Sequence, residues 1–170
     1  MALNKTMSLA ETIKADIKTA MLAKNAERVA TLRMLAAAAS NKQTEKRAKI
    51  AKAGETSEEK LIELSKLTDE EMLEVISSEA KKRKDAIGQF EQGGRPELAE
   101  GEKKELQILT EYLPAQMGED ELKKIVEAAV KELNASGLRD MGKVMGAVMP
   151  KVKGKADGEM VKKIAQQILG

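Results

Sequence analysis

One Phe, one Tyr and no Trp stand in a chain of 170 residues. A core built almost without aromatic rings must be filled by Leu, Ile, Val, Met and Ala, and these side chains recur at helical spacing through most of the chain. No segment sustains the apolar–polar alternation of a strand. Charged residues reach 34% and there are only three prolines, which also favours helices. The sequence therefore predicts an all-α protein. Gly93-Gly94 divides it into an N-terminal domain of long helices, 1–94, and a smaller C-terminal helical bundle, 95–170.

Helix starts and stops can be placed from local chemistry. Ser8 with Glu11 and Thr68 with Glu71 are capping-box patterns. The first opens a helix through Leu9, Ile13, Ile17 and Met21, and the second opens a long one through Met72, Val75, Ile76, Ile87 and Phe90. Between them Val29, Leu32 and Leu35 begin a helix that runs through Lys42, Lys46 and Lys49 and breaks at Ala53–Ser57. Pro96 suits the first turn of the next helix, which carries Leu98, Leu106, Leu109 and Leu113 and which Pro114 ends. Another starts near Glu119. Asp140 is placed as the N-cap of a short helix that stops before Pro150, and Asp157 caps the last.

The missing residue types exclude whole function classes. With no Cys and no His there can be no disulfide, no Cys/His zinc site and no histidine acid–base chemistry. No serine lies in a Gly-x-Ser-x-Gly turn, and Ser77-Ser78 falls inside a helix. Glu102, Glu105, Glu119, Asp120 and Glu121 fit helix starts and surface charge. The expectation is a protein with no catalytic residues, no metal and no cofactor. No apolar run is long enough to cross a membrane, and Met1–Met7 has no apolar signal core, so a soluble cytoplasmic protein is expected.

Charge is nearly balanced at +2, but it is unevenly spread. Lys42, Lys46, Arg47, Lys49 and Lys52 face Glu45 alone within 41–54. The stretch 95–127 is acidic. From Arg139 to Gly158 the balance is basic again, with Arg139, Lys143, Lys151, Lys153 and Lys155 against Asp140 and Asp157. Lysines on a glycine-containing backbone suit phosphate oxygens, because the ammoniums supply charge and glycine permits close approach. Arg139, Gly142, Lys143, Lys151, Lys153, Gly154 and Lys155 are the candidate nucleic-acid contacts. Lys42, Lys46 and Lys49, on one helix face, are a secondary basic stripe. The Lys81-Lys82-Arg83-Lys84 run points all round its helix and is expected to be solvated.

Met141, Met145 and Met149 recur every four residues beside Val144 and Val148, and this stripe is expected to be core. Gly142 and Gly146 each cost on the order of 1 kcal/mol relative to Ala inside a helix. Either close helix packing or an open backbone surface beside Lys143 must offset that. Packing is favoured for Gly146, and both explanations stand for Gly142. Gly154-Lys155-Ala156 is not a nucleotide-binding P-loop, since Met149 stands where the first glycine belongs and Ala156 where Ser or Thr belongs. With so few rings to stack on unpaired bases, any nucleic-acid contact should go to the phosphate–sugar surface of a folded duplex.

Several fragments belong together: Leu32-Arg33-Met34-Leu35, Glu79-Ala80-Lys81-Lys82-Arg83-Lys84, Tyr112-Leu113-Pro114, Asp140-Met141-Gly142-Lys143-Val144-Met145-Gly146 and Lys153-Gly154-Lys155-Ala156-Asp157-Gly158. In this combination the chain resembles stand-alone members of the GatB/YqeY family over nearly its whole length. The resemblance implies a two-part helical fold whose C-terminal part is similar to the tail domain of the amidotransferase B-type polypeptide, GatB. In that enzyme the tail helps to hold tRNA and the chemistry lies elsewhere. Carried over, this makes the chain a non-catalytic tRNA-binding adaptor that contacts tRNA through backbone phosphates at Lys143, Lys151, Lys153 and Lys155. Two alternatives stand beside it: a module docking on an amidotransferase or aminoacyl-tRNA synthetase, and an accessory component of a glutamine-dependent carbon–nitrogen ligase. A ligase label applied to the chain would rest on the shared tail.

Overall fold

The computed structural model describes residues 7–170. The first six residues, part of the segment read as lacking an apolar signal core, lie outside the described residues. The described residues form eight α-helices and one 3-10 turn, with no strand. They fall into two units, Met1–Tyr112 and Leu113–Gly170.

Unit 1 holds α1 (Leu9–Leu22), α2 (Ala26–Lys52), α3 (Glu58–Ser65), α4 (Asp69–Gln92) and α5 (Pro96–Thr110). Both capping boxes form, with the Ser8 and Thr68 backbone N–H groups donating to Glu11 and Glu71 at 2.9 and 2.8 Å. Ile13, Leu32, Leu35, Met72, Ile76 and Leu109 are fully buried, so the core is aliphatic, as the composition requires. The short α3, opened by Ser57, packs on α2 and was not foreseen from the sequence. It lies in the segment after the predicted break and spans only two turns.

The boundary differs from the one expected. α5 packs along α4 and also meets α2, so it belongs to unit 1, and the division falls after Tyr112. The reason is local. Gly94 takes φ 66°, and the Arg95 and Gly94 N–H groups donate back to the Phe90 and Glu91 carbonyls at 2.8 and 3.2 Å. This glycine cap reverses the chain into a helical hairpin. Gly93-Gly94 therefore folds two helices together instead of separating domains. α5 itself ends at Thr110, four residues before Pro114.

A buried ion network fastens that hairpin. Arg83 is only 6% and Glu79 only 7% exposed. The Arg83 guanidinium lies 2.8 Å from Glu79, 3.1 Å from Glu105 and 3.9 Å from Glu102. The expectation of a solvated Lys81–Lys84 run thus fails at Arg83, and the expectation of plain surface charge fails at Glu102 and Glu105. The fork of the guanidinium can serve carboxylates on two helices at once, and burial makes the match necessary.

Unit 2 is a three-helix bundle of α6 (Glu119–Glu132), α7 (Met141–Val152) and α8 (Gly158–Leu169), with a 3-10 turn over Leu138–Asp140. Each helix packs on the other two. Leu122, Val126 and Ala129 from α6, Val144, Val148 and Val152 from α7, and Val161, Ile164 and Ala165 from α8 close the core. The valines of α7, and not its methionines, form the buried stripe; Met141 and Met145 are half-buried and Met149 is 37% exposed. Three small branched side chains at i, i+4 and i+8 let three helices approach closely, and the methionines cover the edges. Pro150 does not stop α7, which runs on to Val152. In the last turn a proline forfeits a single backbone hydrogen bond, to the carbonyl of residue 146, so the interruption is survivable there.

Candidate nucleic-acid interface

α7 and the loop after it place most of the candidate residues in one continuous stretch of unit 2. Gly142 and Gly146 lie on the outer side of α7, opposite Val144, Val148 and Val152. A Cβ added to either would meet nothing within 4 Å among the described residues. The expectation of packing at Gly146 is therefore overturned, and Gly142 has the same open setting. The valines take all the core volume of α7, which leaves the glycine side bare.

Beyond Val152 the chain turns at Gly154, which takes φ 73°. That left-handed conformation strains any side chain with a Cβ. The loop is fastened from the segment before α6: the Met117 N–H donates to the Lys155 carbonyl at 2.7 Å and the Gln116 side-chain amide donates to the Gly154 carbonyl at 2.9 Å. The first turn of α8 is closed by Asp157, whose carboxylate accepts from the Glu159 N–H at 2.9 Å. That helix start is thus already occupied by an anion.

The cations differ in their surroundings. Lys143 is exposed and lies 2.9 Å from Asp140. Lys143, and then the Ser136 N–H, hold the Asp140 carboxyl below its ordinary range. Asp140 stands at the N-cap position, but its carboxylate serves these two partners and makes no cap bond to α7. Lys151 lies 3.6 Å from Glu132, and both are largely exposed. Pairs of this kind contribute at most about 1 kcal/mol and exchange readily for another anion. Lys153, Lys155 and Arg139 are exposed. Neither Lys155 nor Arg139 has an ion pair among the described residues.

The secondary stripe is divided by the fold. Lys42 and Lys49 are exposed on α2. Lys46 is not available with them: its ammonium lies 2.8 Å from Glu71 and donates to the Lys66 carbonyl at 2.9 Å. Lys46, with help from the Thr68 N–H, holds the Glu71 carboxyl below the usual carboxylate range. The middle member of the stripe thus ties α2 to the start of α4. These lysines belong to unit 1 and the α7 loop to unit 2, so the two basic sets lie in different units.

Sequence reasoning gave no role to Tyr112. Its hydroxyl donates to Asp16 at 2.5 Å and accepts from Arg28 at 3.2 Å, while Arg28 lies 2.8 Å from Glu111. This cluster pins the end of unit 1 to α1 and α2. Among the described residues no group of three or more acidic side chains could hold a metal ion, and no helix is long and apolar enough to cross a membrane.

The Yqey-like protein family model matches residues 10–169. The chain is 31% identical over 162 residues to altered inheritance of mitochondria protein 41, mitochondrial, of Pyrenophora tritici-repentis; the match covers 93% of this chain and 79% of that protein. It is also 36% identical over 70 residues to the E-type polypeptide of the glutamyl-tRNA(Gln) amidotransferase of Thermococcus sibiricus. That match covers 39% of this chain but only 11% of the amidotransferase polypeptide.

Proposed function

The chain belongs to the Yqey-like protein family, and from that membership we propose that it is a non-catalytic adaptor that binds tRNA through the α7 face and the loop after it. The observation that carries the reading is the bare glycine side of α7. Two helical glycines with open space beside them cost on the order of 1 kcal/mol each and return no packing within the fold. Their value lies with something that approaches the backbone from outside. Lys143, Lys151, Lys153 and Lys155 in the same stretch set the chemistry of that visitor as anionic. A phosphate–sugar surface meets both requirements, and the few aromatic residues argue against unpaired bases. The relation to part of a glutamyl-tRNA(Gln) amidotransferase polypeptide supports tRNA as the nucleic acid.

A salt titration of tRNA binding tests this. With about four phosphates contacted, log K should fall against log[salt] with a slope on the order of −3. Replacing Lys151, Lys153 and Lys155 together with Ala should flatten the slope and weaken all tRNAs alike. Unchanged binding in that variant removes the loop from the proposal. The same 70-residue relation favours a second reading, an accessory role in glutamine-dependent amidation. Deletion should then lower the level of amidated aminoacyl-tRNA, and normal levels reject it.

A further inference from the structure

Unit 1 carries a shallow groove of about 420 Å³ where the end of α1 meets the first half of α2. Its floor is Ala20, Met21, Ala26, Val29 and Ala30, and its rim holds Lys24 and Arg33. Met21 is 51% exposed, and the adjoining Leu22, at 86%, is the most exposed large apolar side chain among the described residues. Lys14 and Lys18 extend the basic rim along α1, because spacings of four and three residues put them on the Met21 side of the helix. Among the described residues none of Lys14, Lys18, Lys24 and Arg33 has an acidic partner. Arg33 instead reaches the Met21 sulfur at 3.6 Å. Asp16 is engaged by Tyr112, and Glu27 does not line the groove.

Two demands are left open at this place, an apolar floor without a cover and a rim of cations without counter-charges. A nucleic acid would answer the second and leave the first wet, since an aliphatic floor offers no ring for bases to stack on. An amphipathic helix with an acidic border answers both. Its apolar ridge fills the groove, and its carboxylates meet the rim, where complementary charge sets orientation and rate of encounter. We propose that the α1–α2 groove is a docking site for an acidic amphipathic helix of a partner protein. The groove belongs to unit 1 and the tRNA-facing loop to unit 2, so this proposal and the tRNA reading stand or fall separately.

The test uses the full chain and a fluorescently labelled synthetic helix of roughly 18 residues, about five turns, with a leucine ridge bordered by glutamates. A peptide of the same composition in scrambled order is the control. Anisotropy should show the ordered peptide binding about tenfold more tightly than the scrambled one. Lys18→Glu with Arg33→Glu should weaken it by a further factor of about ten, mostly at low salt. Ala30→Gln, which fills the floor, should weaken it at every salt concentration. All three positions admit a folding control by melting temperature, and tRNA binding should be unchanged in each variant. Equal binding of the scrambled peptide, indifference to the charge reversal, or displacement of the peptide by duplex RNA overturns the proposal. So does a dimer in sedimentation that the charge reversal abolishes, since the occupant would then be a second copy.

Discussion

Tyr112 is the only tyrosine in the chain, and it is held between an acid and a base. Burial first, and then the hydrogen bond to Asp16, push its hydroxyl from 10.0 up to about 12, against the opposing charge of Arg28. The sign of the consequence follows from linkage. A folded value above the unfolded one means that the cluster contributes fully below pH 10 and that its contribution is lost between 10 and 12. The tyrosinate absorbance should therefore titrate near 12 in the native chain and near 10 in denaturant, with no second tyrosine to obscure it. A native midpoint near 10 would show that the hydroxyl is free. Little of this could be read beforehand. The Tyr-Leu-Pro fragment was recognisable as a pattern, but Asp16, the partner that gives the hydroxyl its role, stands 96 residues away in the chain.

At the level of elements, α4, α5 and α7 show where pattern reading succeeds and where it stops. Capping boxes depend on neighbours in sequence, so those at Ser8 and Thr68 could be read directly. Arg83 sits in a run of four cations and looks solvated, because its partners Glu102 and Glu105 come from another helix. Arg83→Met should cost about 3 kcal/mol in denaturant unfolding, because it leaves buried Glu79 with only the exposed Lys82, 2.6 Å away, and Glu79→Leu added to it should recover much of the loss. A loss under 1 kcal/mol would mean that water already reaches the pair. α7 gives the opposite sign. Gly146→Ala meets no neighbour within 4 Å and should stabilise unit 2 by about 0.5–1 kcal/mol, while weakening tRNA. Destabilisation would place a neighbour where the open face is drawn. The expected stripe is core at Val144 and Val148, is only edged by Met141 and Met145, and fails at Met149, for a plain reason. Met and Val alternate at the same helical period, and only the close approach of three helices selects the smaller side chain.

For the whole molecule, the two units should melt as two. Unit 2 runs from 113 to 170, 58 residues, a size at which a single aliphatic core gives only modest stability. Leu122 is fully buried there, and Leu122→Ala should cost about 2–5 kcal/mol. In calorimetry that change should move one transition and leave the other in place. A common shift would show that the units unfold together. The all-helical class was legible from helical periodicity and the absence of strand alternation, and a two-part division was expected at Gly93-Gly94. The place of the division was not legible, because two glycines that end a helix look alike whether the chain goes on to a new domain or doubles back. Gln116 and Met117 lie after that division and hold the carbonyls of Gly154 and Lys155. Surgery on this chain therefore has a preferred incision, upstream of Gln116. A tail fragment trimmed to Gly118 would keep every helix of its bundle yet release the strap on its lysine-bearing corner, and would test a slack version of the surface that the intact chain presents.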